Sequence, residues 1–129
     1  MLNGAIEALT TNGVSKSEIK IVRCPGSYEI PLTTQWMLEN DSITGVIALG
    51  VVIRGGTPHF EYVCDAVNRG VMDLNLRYSK PVAFGVLTTD NVQQALDRVG
   101  EKGNKGAEAA LALLEMLNLK VKISEKGGK

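Results

Sequence analysis

Two uncharged and largely apolar runs, TGVIALGVV (44–52) and PVAFGVLTT (81–89), constrain this chain more than any other feature of it. A strand with one face in water alternates apolar and polar residues, and neither run does so. Both therefore read as strands covered on both faces, as in a parallel sheet between two layers of helix. The shorter stretch IKIVRC (19–24), rich in β-branched residues and closed by Pro25-Gly26, reads as a third strand.

Helical patterns fill the intervals. Leu2, Ala5, Ile6 and Leu9 recur at helical spacing until Asn12-Gly13 stops them. Ser27 suits the N-cap of a helix running to about Asn40, with Pro31 tolerable near its first turn. Thr57-Pro58 reads as an N-cap with proline at the first helical position, opening a helix to about Tyr78. Asp90 with Gln93 predicts a capping box for a short helix to about Val99. A Gly-rich loop, GEKGN, leads into KGAEAALALLEMLNL, a strongly periodic helix rich in Ala and Leu, and SEKGGK (124–129) reads as a flexible tail. The order is α-β-α-β-α-β-α-α in a single domain spanning 1–129. Such a domain normally opens with a strand, so the pattern predicts a first strand missing ahead of the first helix.

Composition narrows the partners. Lys plus Arg and Asp plus Glu are both 14, a formal net charge of zero, which argues against nucleic-acid or membrane-surface binding. No apolar run approaches the length of a membrane span, and Met1 leads into LNGAIEAL without a basic n-region. Cys24 and Cys64 lack the spacing of a redox or zinc motif, and with one histidine in the chain no metal site is expected. The two cysteines read as small core residues of a reduced cytoplasmic protein.

The chemistry concentrates where the first long run ends, at IRGGTPHF (53–60). In open α/β sheets, ligands bind beyond the carboxyl ends of the strands. Gly55 and Gly56 let the backbone approach a ligand closely, and the first turn of the following helix favours an anion. Neither a P-loop nor a dinucleotide fingerprint is present, so a small phosphoester suits the site better than a nucleotide. His59 beside that anion could shuttle protons near neutral pH; from spacing alone it is equally compatible with a plain surface histidine. Ser27, Tyr28 and Glu29 offer a hydroxyl, a ring and a carboxylate to a polyhydroxylated heterocycle, though a helix cap with a first-turn acid is the simpler account. Phe84 alone reads as core. Arg98 and Lys105 flank the Gly-rich loop as solvated charges or as phosphate clamps.

Taken together, PGSYEIP, VIALGVVIRGGTPHFEYV, PVAFGVLTTD and GNKGAEAALALLEM resemble the lumazine synthase family, in order and spacing, over essentially the whole chain. The resemblance implies a three-layer α/β sandwich with a parallel, flavodoxin-like sheet. It implies condensation of 5-amino-6-(D-ribitylamino)uracil with 3,4-dihydroxy-2-butanone 4-phosphate, giving 6,7-dimethyl-8-ribityllumazine, phosphate and water, with no metal or organic cofactor. By the same resemblance His59 transfers protons, Gly56 and Thr57 hold the butanone phosphate by backbone, and Arg98 binds it by side chain. Ser27, Tyr28 and Glu29, with Val51, Val52 and Ile53, match the segments that hold the ribitylaminouracil. Phe84 matches a residue reaching that substrate from the neighbouring subunit, and Lys105 and Glu108 match polar residues near the site. The expected assembly is a homopentamer or a higher form, with riboflavin synthase admitted as a further partner.

Two departures from the family pattern stand out. The family carries a strand ending in an Arg-Phe-Asn-like segment before the first helix; it lies inside the sheet, and its aromatic ring stacks on the pyrimidine. This chain starts after it, and its loop between Arg98 and Lys105 is one residue shorter than the family's. The alternative reading is therefore a truncated homologue that keeps shell or scaffold assembly and loses catalysis, and a third is a fragment with no stable fold.

Overall fold

A computed structural model describes residues 1–100 and 103–127. The first helix, α1 (Leu2–Thr11), buries Ala5 and Leu9, one turn apart on one face. It ends where expected. Gly13 takes φ 95°, the Gly13 N–H donates to Thr10 O and the Val14 N–H to Leu9 O, a Schellman arrangement that satisfies the last carbonyls. A 3-10 turn over Ser27–Glu29 leads into α2 (Ile30–Leu38). Strand β1 (Val46–Ile53), helix α3 (His59–Tyr78), strand β2 (Val82–Thr89), the short α4 (Val92–Asp97) and the long α5 (Lys105–Gly127) follow.

β1 and β2 pair in parallel, in register from Val46↔Val82 to Ile53↔Thr89. The ladder is extended at both ends, by Val46 N–H to Pro81 O at 3.0 Å and by Arg54 N–H to Thr89 O at 2.8 Å. Asn75 on α3 pins the start of β2, accepting from Val82 N–H at 2.7 Å and donating to Val82 O at 3.2 Å.

On one face of the sheet Val46, Ala48, Val52, Val82 and Val86 pack against Ile30 and Leu38 of α2 and Val63, Val67, Val71 and Leu74 of α3. On the other, Ile47 and Leu49 pack with Ala5, Leu9 and Ala110, where α1 lies on α5. Helices thus cover both faces of a parallel sheet, the three-layer α/β arrangement of the flavodoxin-like class.

The third strand is not formed. Residues 19–24 pair with no strand among the described residues, where the one main-chain bond of Ile19–Arg23 is from Ile19 N–H to Lys16 O. Its physical reason lies beside it. A groove of about 1050 Å³ separates this segment from the free edge of β1, lined by both and by side chains of both helical layers, among them Ala5, Leu9, Ile30 and Met37. β propensity needs a neighbouring edge to act on, and here the neighbour is out of hydrogen-bonding reach.

Helix boundaries differ by small steps. Ser27 opens the 3-10 turn instead of capping α2, whose N-cap is Glu29, and Pro31 falls in the first turn as expected. Pro58 is the N-cap of α3 and His59 its first residue, yet the Thr57 hydroxyl still accepts from His59 N–H at 3.4 Å. Asn91, not Asp90, caps α4: its Oδ1 accepts from Gln94 N–H at 2.9 Å, while Gln94 Oε1 accepts from Asp90 N–H at 2.7 Å. The expected Asp90–Gln93 box is not formed: the cap sits one residue later, and Gln94 reaches back to the N–H of Asp90, not to that of the N-cap Asn91. The helix α5 continues to Gly127, through much of the segment read as a tail; Gly128 and Lys129, like Glu101 and Lys102 of the Gly-rich loop, lie outside the described residues.

Candidate functional site at the end of the first strand

Because β1 and β2 end level, the residues that follow them meet. Arg54 extends β1 by one position. Its Nε donates to Asp90 Oδ1 at 2.9 Å, and Nη1 donates to Glu61 Oε1 in the first turn of α3. Its guanidinium carbon lies 4.5 Å from the centroid of the Phe60 ring, a cation–π contact. The loop from Arg54 to Pro58, with Glu61 and Tyr62, encloses an open concavity of about 510 Å³. His59 is exposed beside it on the first turn of α3.

Gly55 and Gly56 are informative. Neither adopts a left-handed φ, and a Cβ built on either would meet no atom within 4 Å. The fold of this subunit therefore does not require glycine at either place; what their lack of a side chain provides is open access to the backbone.

The sequence-predicted residues divide into groups. Ser27 and Val51 come together, the Ser27 hydroxyl donating to Val51 O at 3.4 Å, and both line the large groove. Tyr28 is exposed and Glu29 half-buried. Val51 and Ile53 turn partly to solvent, whereas the Val52 side chain is buried in the core, which leaves only its backbone for contact. Gly56 and Thr57 lie in the loop, and His59 opens α3 directly after it. Arg98, exposed after α4, and Lys105, half-buried at the start of α5, are joined by Lys105 N–H to Arg98 O at 2.8 Å, which closes the Gly-rich loop. Glu108 is exposed one turn on. Phe84 sits opposite Ala48 on β2, 36% exposed. His59, Phe84, Arg98, Lys105 and Glu108 contribute nothing to the lining of the loop concavity, which of the expected site residues takes only Gly56 and Thr57.

Reading the sequence missed the Arg54–Glu61–Asp90 cluster. A signal was available: once the two apolar runs are taken as parallel strands of equal length, the residues just past their ends become neighbours.

The cluster has an acid dependence. The hydrogen bond from Arg54, then the backbone N–H of Glu61 itself, holds the Glu61 carboxyl below its usual 4.5. A depressed carboxyl contributes stability that is fully present above the unfolded value and lost as pH falls through the folded one. As pH falls from about 5 through the depressed folded-state value, the parent chain should therefore lose more melting temperature than Glu61→Gln, with the difference shrinking at high salt because the pair is exposed. Equal losses in the two chains would show that the pair contributes nothing.

Elsewhere, Cys24 and Cys64 are free and half-buried, short of the full burial expected, and burial pushes the Cys64 thiol up. Among the described residues no group of three or more His, Cys, Asp or Glu side chains is placed to hold a metal ion, and no helix is long and apolar enough to cross a membrane.

The motifs around this strand end are thus borne by the fold their resemblance implies, and a family model described as 6,7-dimethyl-8-ribityllumazine synthase matches residues 1–121, so that the chain belongs to that family.

Proposed function

We propose that this chain condenses 5-amino-6-(D-ribitylamino)uracil with 3,4-dihydroxy-2-butanone 4-phosphate to form 6,7-dimethyl-8-ribityllumazine. The observation that carries the reading, beyond family membership, is the pair of glycines at the strand end, whose open backbone is unexplained by packing within the subunit. The phosphate of the butanone substrate suits that loop, against Gly56, Thr57 and the N-terminal turn of α3. The Ser27–Glu29 turn and the end of β1 suit the ribitylaminouracil.

The chemistry asks little of the protein beyond placement. The aromatic amine attacks the ketone and water leaves; phosphate is eliminated; the ribitylamino nitrogen closes the ring on the new carbonyl with loss of a second water. Holding both substrates together supplies much of the rate. Arg98 and the helix N–H groups stabilise the departing phosphate. His59, the one imidazole in the chain, carries protons between nitrogen, carbon and oxygen. No step calls for a cofactor.

The test is turnover of the two substrates, followed by the absorbance and fluorescence of the lumazine. Gly56→Ala sharpens it. That variant should melt with the parent, since a Cβ there meets open space, yet raise KM for the phosphoester by about 10-fold while leaving KM for the ribitylaminouracil unchanged. A variant indistinguishable from the parent in both constants would remove the phosphate from this loop.

The groove beside β1 favours a second reading, a homologue that assembles without turning over. A soluble oligomer in light scattering, with both substrates left intact, would establish it over the first.

A further inference from the structure

Resting on the proposed function, we propose that Arg54 is a positioning residue that sets the shape of the phosphate loop without touching phosphate itself. Its backbone is tied to the end of β2 through Thr89 O, and its side chain to Asp90, Glu61 and the face of Phe60. It thus joins the end of β2 to the first turn of α3 across the base of the loop. Between these anchors, Gly55, Gly56 and Thr57 make no backbone–backbone hydrogen bond with the rest of the described chain. Apart from the long contact of His59 N–H with the Thr57 hydroxyl, the loop has no framework of its own among the described residues, so its path is set largely by where its two ends are held, and Arg54 bears on both.

The same contacts argue against Arg54 as a phosphate ligand. Two carboxylates already take its fork, and a phosphate drawn to it would sit beside both of them. Its positive charge is already matched by two carboxylates of the protein, and its effect on a ligand passes through the backbone of Gly55 and Gly56.

Opposite signs separate the two roles. If Arg54 positions, Glu61→Gln and Asp90→Asn loosen the loop and weaken binding of the phosphoester and of inorganic phosphate, as Arg54→Met does. If Arg54 is a phosphate ligand, removing either carboxylate frees its charge and tightens phosphate binding. We expect Arg54→Met to lower kcat about 10-fold and raise KM for the phosphoester about 10-fold, with KM for the ribitylaminouracil held within about 2-fold, since the loop bears on one substrate only. Arg54→Lys should recover part of this, because an ammonium keeps the charge but lacks the fork. Hydrogen exchange supplies a readout that needs no turnover. The first-turn amides of α3, Glu61 and Tyr62, which donate to Pro58 O, should exchange about 10-fold faster in Arg54→Met and in Arg54→Lys to a lesser degree, while the core of α5 stays protected. Unchanged exchange at Glu61 and Tyr62, or tighter phosphate binding in Glu61→Gln, would overturn the proposal. A parent chain that exchanges as expected but turns over neither substrate would instead defeat the proposed function and leave the positioning of the loop standing.

Discussion

Co-expressed at equal levels, His59→Ala and Arg98→Ala chains are expected to recover about a quarter of the parent turnover, although each alone falls by about 10²-fold. The expectation follows from where the two residues sit. His59 opens α3 directly after the loop that follows β1, whereas Arg98 follows α4, and neither side chain lines the concavity at that loop. In the proposed function, following the family resemblance, a complete site would take His59 and Ser27 from one subunit and Phe84 and Arg98 from the next. In a randomly mixed ring, a site is whole when an Arg98→Ala chain supplies the histidine and a His59→Ala neighbour supplies the arginine, about one site in four. A site contained in one subunit gives no recovery at any mixing ratio. Mixed expression with no gain over the two single chains would therefore remove the shared site.

The second large effect concerns stability. An extended apolar segment of about eight residues, fused in frame ahead of Met1, should raise the melting temperature by about 10 °C or more. The free edge of β1 spans Val46–Ile53, and the groove beside it is walled by apolar side chains of both helical layers. A strand lying there would pair its main chain with β1 on one side and with residues 19–24 on the other. Each buried apolar side chain contributes about 1.5–3 kcal/mol, set against about 1.5 kcal/mol of ordering entropy per residue, so the net gain is a few kcal/mol. Without such a strand the exposed edge invites pairing between chains, so the 129-residue chain should form an oligomer of reduced stability or aggregate instead of running as a clean monomer. A fusion with an unchanged melt, or a sharp monomer peak for the shorter chain, would count against the groove as a seat for a strand.

How far the sequence reveals the fold depends on whether each element carries its own signal. β1, β2 and the α3 crossover are legible because uncharged runs and a 20-residue amphipathic helix leave few alternatives. The segment 19–24 carries the same kind of residues as a strand, but a strand is a relation between two edges, and a composition cannot say that the second edge, here the free edge of β1, lies across a groove and out of reach. Caps show the complementary limit. Asp90 and Asn91 are both good cap residues, and the choice falls to Asn91 because the end of β2 is tied down through Thr89, whose carbonyl takes Arg54 N–H and whose hydroxyl donates to Asn91 O at 3.0 Å. In the candidate site, His59 and the glycines stand out by their position after a strand. Arg54 and Asp90 are far apart in the chain and acquire meaning only through the β1–β2 register. Val52 shows a residue-level limit: adjacent to two partly exposed neighbours, it points into the core because side chains alternate along a strand.

The level ends of β1 and β2 also bear on which changes of length the chain can tolerate. Adding or deleting one residue within either strand would turn every later side chain of that strand to the opposite face, and would carry Arg54 or Asp90 away from the other. The described residues between Arg98 and Lys105 belong to no strand, and the stretch is tied across its base by Lys105 N–H to Arg98 O. Insertions and deletions among homologues of this chain should accordingly gather in that loop and at the chain ends, and the two strands should keep a common length even where their residues have diverged.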